Sequence, residues 1–165
     1  MEQKLFSDLE GLRIAMEMEV EGRDFYQQAY ESVAKQEQKD LFLMLKNEEI
    51  HHYETFSKIY SKIKQNKEIE SDDYLFDADS SRYLTILVED YIFPKKDKAK
   101  AKIAEFKSME TILQAAIQAE KESILFYDAL ANESKFEEAK KIFIILKAEE
   151  QTHVVKLTEM LNAWA

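Results

Sequence analysis

The sequence predicts an all-α protein: a four-helix bundle running up, down, down, up, with a long crossover between its second and third helices. Three observations lead there. The 165 residues include only two Gly and one Pro; apolar residues return at helical intervals in four long stretches; and the chain contains an internal repeat. Shifting the sequence by 101 residues lays AMEMEVEGRDFYQQAY on AIQAEKESILFYDALA and FLMLKNEEIHHY on FIILKAEEQTHV. The register holds without a gap, with 13 of 38 positions identical between residues 15–52 and 116–153, so each half reads as a copy of one helical hairpin.

The first helix runs from Ser7 to about Val33, carried by Leu9, Leu12, Met16, Val20 and Phe25, with Ser7 and Glu10 placed as a capping box. The second, on Leu41, Phe42, Leu45, Ile50, Tyr53 and Phe56, runs from Gln36 to about Lys64 and closes a hairpin over 7–64. Residues 65–107 form the connector, with Pro94, the run KKDKAKAK and a segment SSRYLTILVEDYIF fit for a shorter helix. The third helix begins near Ser108 and reaches about Asn132. The fourth follows Ser134, with Glu137 as its capping partner, and reaches about Asn162, so the second hairpin spans 108–163. Each helix is then about 40 Å long. If the two hairpins pack about a pseudo-twofold axis, the chain leaving the second helix must return along the whole bundle, and a connector of this length allows it. The chain is read as one domain over 1–165.

Composition narrows the function classes. A net charge of −10 opposes attraction to nucleic acid or to anionic membranes. With no cysteine, disulfides, thiol nucleophiles, iron–sulfur clusters and Cys-based zinc sites are excluded, and any metal site must use carboxylates and imidazoles. The start MEQKLFSDLEGL has no basic region followed by an apolar one, and the longest aliphatic or aromatic run, Ile142 to Leu146, is too short to span a bilayer. A soluble, cytoplasmic protein is expected.

The chemistry-bearing residues repeat with the hairpins. Glu49 and His52, and likewise Glu150 and His153, are three apart on the second helix of each pair, so each pair shares a helix face and can chelate one metal. In the first helix of each pair, Glu19 and Glu120 stand seven residues before Tyr26 and Tyr127, nearly on one face. Brought together, four carboxylates and two imidazoles would balance two divalent cations in a low-dielectric interior, where unmetallated carboxylates are costly. Ion pairs on a solvated surface would not need matched placement in both halves. His51, rotated about 100° from His52, is expected to face solvent. The KKDKAKAK run, with Asp97 inside it, reads as a solvated helix or connector, Met16, Met18 and Met44 read as core fillers, and Trp164 has no assigned role.

Through EMEVEGRDFY and QAEKESILFY, then LKNEEIHH and LKAEEQTH, with the long crossover between them, the chain resembles the rubrerythrin-like branch of the ferritin superfamily, and the resemblance covers nearly its whole length. It implies a ferritin-like bundle holding two iron ions, with Glu49 and Glu150 as bridging carboxylates, Glu19 and Glu120 as terminal ones, His52 and His153 as imidazole ligands, and Tyr26 and Tyr127 hydrogen-bonded to carboxylates across the bundle. Manganese or zinc suits the same donors. Two departures are visible. Rubrerythrins proper carry a Cys-rich rubredoxin module, so a cysteine-free chain implies a separate electron-donor protein. They also carry an extra Glu three residues after the third-helix ligand, where this chain has Ser123, with Gly22 as its counterpart in the first half; the ligand set is closer to the symmetric one of bacterioferritins. A homodimer is expected rather than a mineral-storing cage. The implied activity is reduction of hydrogen peroxide or dioxygen. The alternatives are a ferroxidase or iron-handling protein with no donor cycle, and a non-catalytic bundle used for protein interaction.

Overall fold

In the computed structural model, which describes residues 4–66, 71–95 and 98–164, four long helices are joined by a helical crossover. They are α1 (Asp8–Ser32), α2 (Gln36–Lys64), α3 (Ala78–Glu89), α4 (Ala99–Glu105), α5 (Met109–Glu133) and α6 (Glu137–Trp164), with a short 3-10 turn at Asp72–Tyr74. Residues 67–70 of the polar stretch after α2, and Lys96 and Asp97 of the basic run, lie outside the described residues. The helices pair as α1 with α2 and α5 with α6, and the two hairpins meet α1 to α5 and α2 to α6.

The core is two apolar clusters, and each long helix passes from one to the other. One cluster holds Leu12 of α1, Phe56 of α2, Phe126 of α5 and Leu146 of α6. The other holds Phe25, Leu45, Leu113 and Leu157 of the same helices. Thus α1 and α6 run from the first cluster to the second while α2 and α5 run the opposite way, which is the expected up, down, down, up course of a ferritin-like bundle. Between Leu12 and Phe25 lies Glu19; between Leu45 and Phe56 lie Glu49 and His52; the second hairpin repeats the arrangement with Glu120, Glu150 and His153. The polar residues therefore form a belt across the middle of the bundle.

The crossover travels the same length. It starts at the first cluster, where Phe6 N–H donates to Ser81 Oγ at 2.9 Å and Phe76 N–H to Phe6 O at 2.8 Å. The expected shorter helix is α3, which packs on α5, and α4 packs on α1. The segment between them, anchored by Ile92 N–H donating to Glu122 Oε1 at 2.7 Å, straps across the α1/α5 face at half height. The basic run forms part of α4, which buries Ala99 and Ile103 on the bundle.

Both capping boxes need correction. Ser7 Oγ accepts from Glu10 N–H at 3.2 Å, but the Glu10 carboxylate turns outward to Arg13 and Lys4 instead of returning to the Ser7 amide. Ser134 is the C-cap of α5 rather than the N-cap of α6, which begins only at Glu137. Its hydroxyl bonds to Asp8, and Asp8 Oδ2 accepts Lys135 N–H at 2.7 Å and Phe136 N–H at 3.2 Å. A carboxylate in the first turn of α1 thus satisfies the turn between α5 and α6, where a buried amide without a partner would be costly. Of the methionines, Met18 is buried in the core while Met16 and Met44 pack at its margin. Trp164 receives the Lys35 ammonium over its ring, 4.7 Å from the centroid. No described helix is long and apolar enough to cross a membrane.

Candidate metal centre

Six of the residues singled out by the repeat converge in the central belt. Glu19, Glu49, His52 and Glu150 form one group, and Glu49, Glu120, Glu150 and His153 a second; within each group the potential ligand atoms lie within 4.8 Å of one another. All six residues are at most 4% exposed. Glu49 and Glu150 belong to both groups, so two cation positions would share them. The imidazole rings lie face to face across the site, 5.7 Å apart and 13° from parallel. Both Nδ1 atoms turn inward: His52 Nδ1 is 3.0 Å from Glu150 Oε1 and 3.5 Å from Glu19 Oε2. His153 Nδ1 is 3.0 Å from Glu150 Oε2, 3.4 Å from Glu49 Oε1 and 3.5 Å from Glu120 Oε1.

The two tyrosines tie the hairpins together. Tyr26 O–H on α1 donates to Glu120 Oε1 on α5 at 2.5 Å, and Tyr127 O–H on α5 donates to Glu19 on α1. Each fixes the carboxylate of the other half. Burial, followed by the neighbouring carboxylates, pushes both phenols well above their usual range, so both remain protonated donors.

The electrostatics are those of a cluster that protons hold together. Burial first, then the charges of Glu150, Glu19 and Glu120, push the Glu49 carboxyl well above the usual carboxylate range. Burial and Glu150 do the same to Glu120. Burial would raise Glu150 too, but hydrogen bonds with Glu120, His153 and His52 outweigh it and hold Glu150 well below that range. Burial would lower His52, yet the Glu19 charge and the bond to Glu150 outweigh it and push the imidazole up to about 11. His153 moves the same way, its burial overcome by Glu120, Glu150, Glu48 and Glu49.

The donor set fits a pair of divalent cations. Glu19 Oε2, Glu49 Oε1, Glu150 Oε2 and His153 Nδ1 are buried without a well-formed hydrogen bond. Such atoms are rare in folded proteins unless they serve something else. A Cβ on Gly22 would stand 2.9 Å from Glu49 Oε2, so the glycine leaves that carboxylate space against α1.

Three further residues join the site. Glu149 Oε2 lies 2.7 Å from His52 Nε2, and Glu48 bonds His153 Nε2. Each carboxylate precedes a predicted ligand and holds the outer nitrogen of the imidazole on the opposite helix, which fixes which nitrogen faces inward. Neither was singled out from the sequence, and their identity at matching places of the repeat was the signal available; both side chains are 40–46% exposed. Tyr91, from the crossover, lies outside the repeat and carried no signal. His51 is exposed, as expected, and lines a cleft of about 550 Å³ along α2 and α6 with Leu43, Met44, Glu48, His52 and Glu149.

No protein-family model and no curated protein matches the sequence. Among solved structures, a protein of Thermotoga maritima described as a ferritin-like diiron-carboxylate protein is similar over 99% of this chain and 100% of its own, with a TM-score of 0.74 and 24% identity. That likeness establishes the ferritin-like fold.

Proposed function

We propose that the protein is a di-iron oxidoreductase of rubrerythrin-like type that reduces hydrogen peroxide or dioxygen. The observation that carries the reading is the buried pair of four-residue groups sharing Glu49 and Glu150. One cation would take Glu19 and His52, the other Glu120 and His153, with Glu49 and Glu150 common to both. Iron held there would supply the two electrons that convert hydrogen peroxide to water. The chain's own residues do the rest. The imidazoles are fixed by Glu48 and Glu149, the terminal carboxylates are fixed by Tyr26 and Tyr127, and the apolar clusters on either side exclude bulk water.

Other parts of the reading follow from composition and resemblance. With no cysteine in the sequence, repeated turnover draws electrons from a separate donor protein. Manganese and zinc suit the same ligands, and of the two only zinc lacks the redox couple this cycle needs. The protein acts in the cytoplasm as a homodimer.

A ferroxidase is the second reading, favoured by one observation: Ser123 faces the Tyr91 hydroxyl at 3.5 Å, where rubrerythrins have a further carboxylate. Protein loaded anaerobically with ferrous iron and mixed in a stopped-flow instrument separates the two. The peroxidase reading expects faster ferric absorbance with peroxide than with dioxygen, and recovery on adding a reductant. Faster reaction with dioxygen and release of ferric iron would favour the ferroxidase, and no reaction with either would overturn both.

A further inference from the structure

The two faces of the belt are unlike. The histidines reach it from α2 and α6, beside the open cleft. On the α1/α5 face the crossover strap closes over it, and here the pseudo-twofold symmetry of the repeat is broken. Phe93 covers the α1 side, its ring stacked on Phe25 at 4.5 Å and 3.4 Å from where a Gly22 Cβ would stand. Tyr91 covers the α5 side, its hydroxyl 3.5 Å from Ser123 Oγ. Gly22 and Ser123 are one turn beyond Glu19 and Glu120, and Tyr91 packs against both apolar clusters at once, which sets its ring at the level of the belt.

Tyr91 differs from the other two tyrosines of the site in what its proton does. Tyr26 and Tyr127 are committed to carboxylates through short bonds. Among the described residues the Tyr91 hydroxyl has one hydrogen-bond partner, the Ser123 hydroxyl, which donates to it at the long end of the range. With one ligand atom from each of four residues, an octahedral ion held there would have positions left for a small ligand.

We propose that Tyr91 is a hydrogen-bond donor to a small oxygen- or nitrogen-donor anion bound to the metal pair on its α1/α5 side, held there by the strap and by contact with Ser123. The inference rests on the di-metal reading above. It makes the crossover part of the site and gives the two cation positions unequal surroundings despite their matched protein ligands.

Cobalt-loaded protein titrated with azide tests this without turnover, because cobalt(II) reports ligation by its visible spectrum. Tyr91→Phe, which removes only the hydroxyl, is expected to retain two cobalt ions per chain and bind azide at least about tenfold more weakly, the size of a lost hydrogen bond to a charged acceptor. Unchanged azide affinity in Tyr91→Phe overturns the proposal, and so does loss of cobalt from that variant, which would make Tyr91 a structural support. Failure of the wild-type protein to take up cobalt, iron or manganese overturns the di-metal reading itself.

Discussion

Tyr26 and Glu120 stand 94 residues apart in sequence and 2.5 Å apart in space, and the repeat obliges Tyr127 to answer with the same bond to Glu19. Each hairpin thereby holds a carboxylate belonging to the other. Tyr26→Phe should lower the stability of the metal-free protein by about 1–3 kcal/mol, the cost of stranding a buried acceptor. It should also weaken metal binding about 10- to 100-fold. Urea denaturation and competition with a calibrated chelator measure the two effects.

Glu49 is expensive to the metal-free fold, since its burial and three neighbouring carboxylates all disfavour its charge. Glu49→Gln keeps the volume and removes the repulsion. The metal-free variant should therefore be as stable as the wild type or up to about 2 kcal/mol more stable, while metal uptake is lost. Thermal unfolding alongside metal analysis would show it; a large loss of stability would mean that Glu49 is held for packing.

Glu48 and Glu149 are partly exposed, so Glu48→Ala and Glu149→Ala should cost the fold little. Each frees the outer nitrogen of a buried imidazole, and metal affinity should fall about 10- to 100-fold per substitution. Isotope-edited NMR of the imidazole tautomers would report the freed ring directly.

Metal binding should release protons at neutral pH. Ligation needs neutral imidazoles and ionised carboxylates, whereas His52 is raised to about 11 and Glu49 and Glu120 lie well above the carboxylate range. Apparent affinity then climbs with pH by about tenfold per unit for each proton displaced. In the metal-free protein the sign reverses. With its folded value above the ordinary 6.5, the contribution of His52 to stability is complete below 6.5 and is lost as pH rises through about 11. Calorimetry in buffers of different ionisation enthalpy counts the protons.

Asp8 offers a control far from the central belt. Asp8→Ala strands two amides in the α5–α6 turn and should destabilise the fold by about 2–4 kcal/mol while leaving metal stoichiometry unchanged. Denaturant unfolding of the metal-free variant and metal analysis of the loaded one check the two halves.

What the sequence disclosed and what it withheld divide along the repeat. The Glu and His residues of the belt were legible because two copies of one hairpin, offset by 101 positions, mark the same faces twice, and the course of the helices follows once those faces must meet. The crossover is present once, so nothing in the pattern pointed to Tyr91 or to Phe93 over Gly22. Asp8 was hidden for a different reason: an acidic residue in a first helical turn is commonplace, and only the packing of α1 on the distant α5–α6 turn gives it a second task. Ser134 and Glu137 satisfied the capping pattern by spacing alone, and that tertiary contact overrode it. Glu48 and Glu149 were not singled out, although both repeat: half-exposed on their own helices, they reach the opposite imidazole only once α2 and α6 are packed together.

The central claim is that the belt exists to hold two metal ions through Glu49 and Glu150. Native mass spectrometry of protein loaded anaerobically with ferrous iron tests it most directly, with the Glu49→Ala/Glu150→Ala double variant run beside it. Two irons per chain in the wild type and none in the variant is the predicted result. A wild-type chain that holds no metal, or a double variant that retains two, would contradict it.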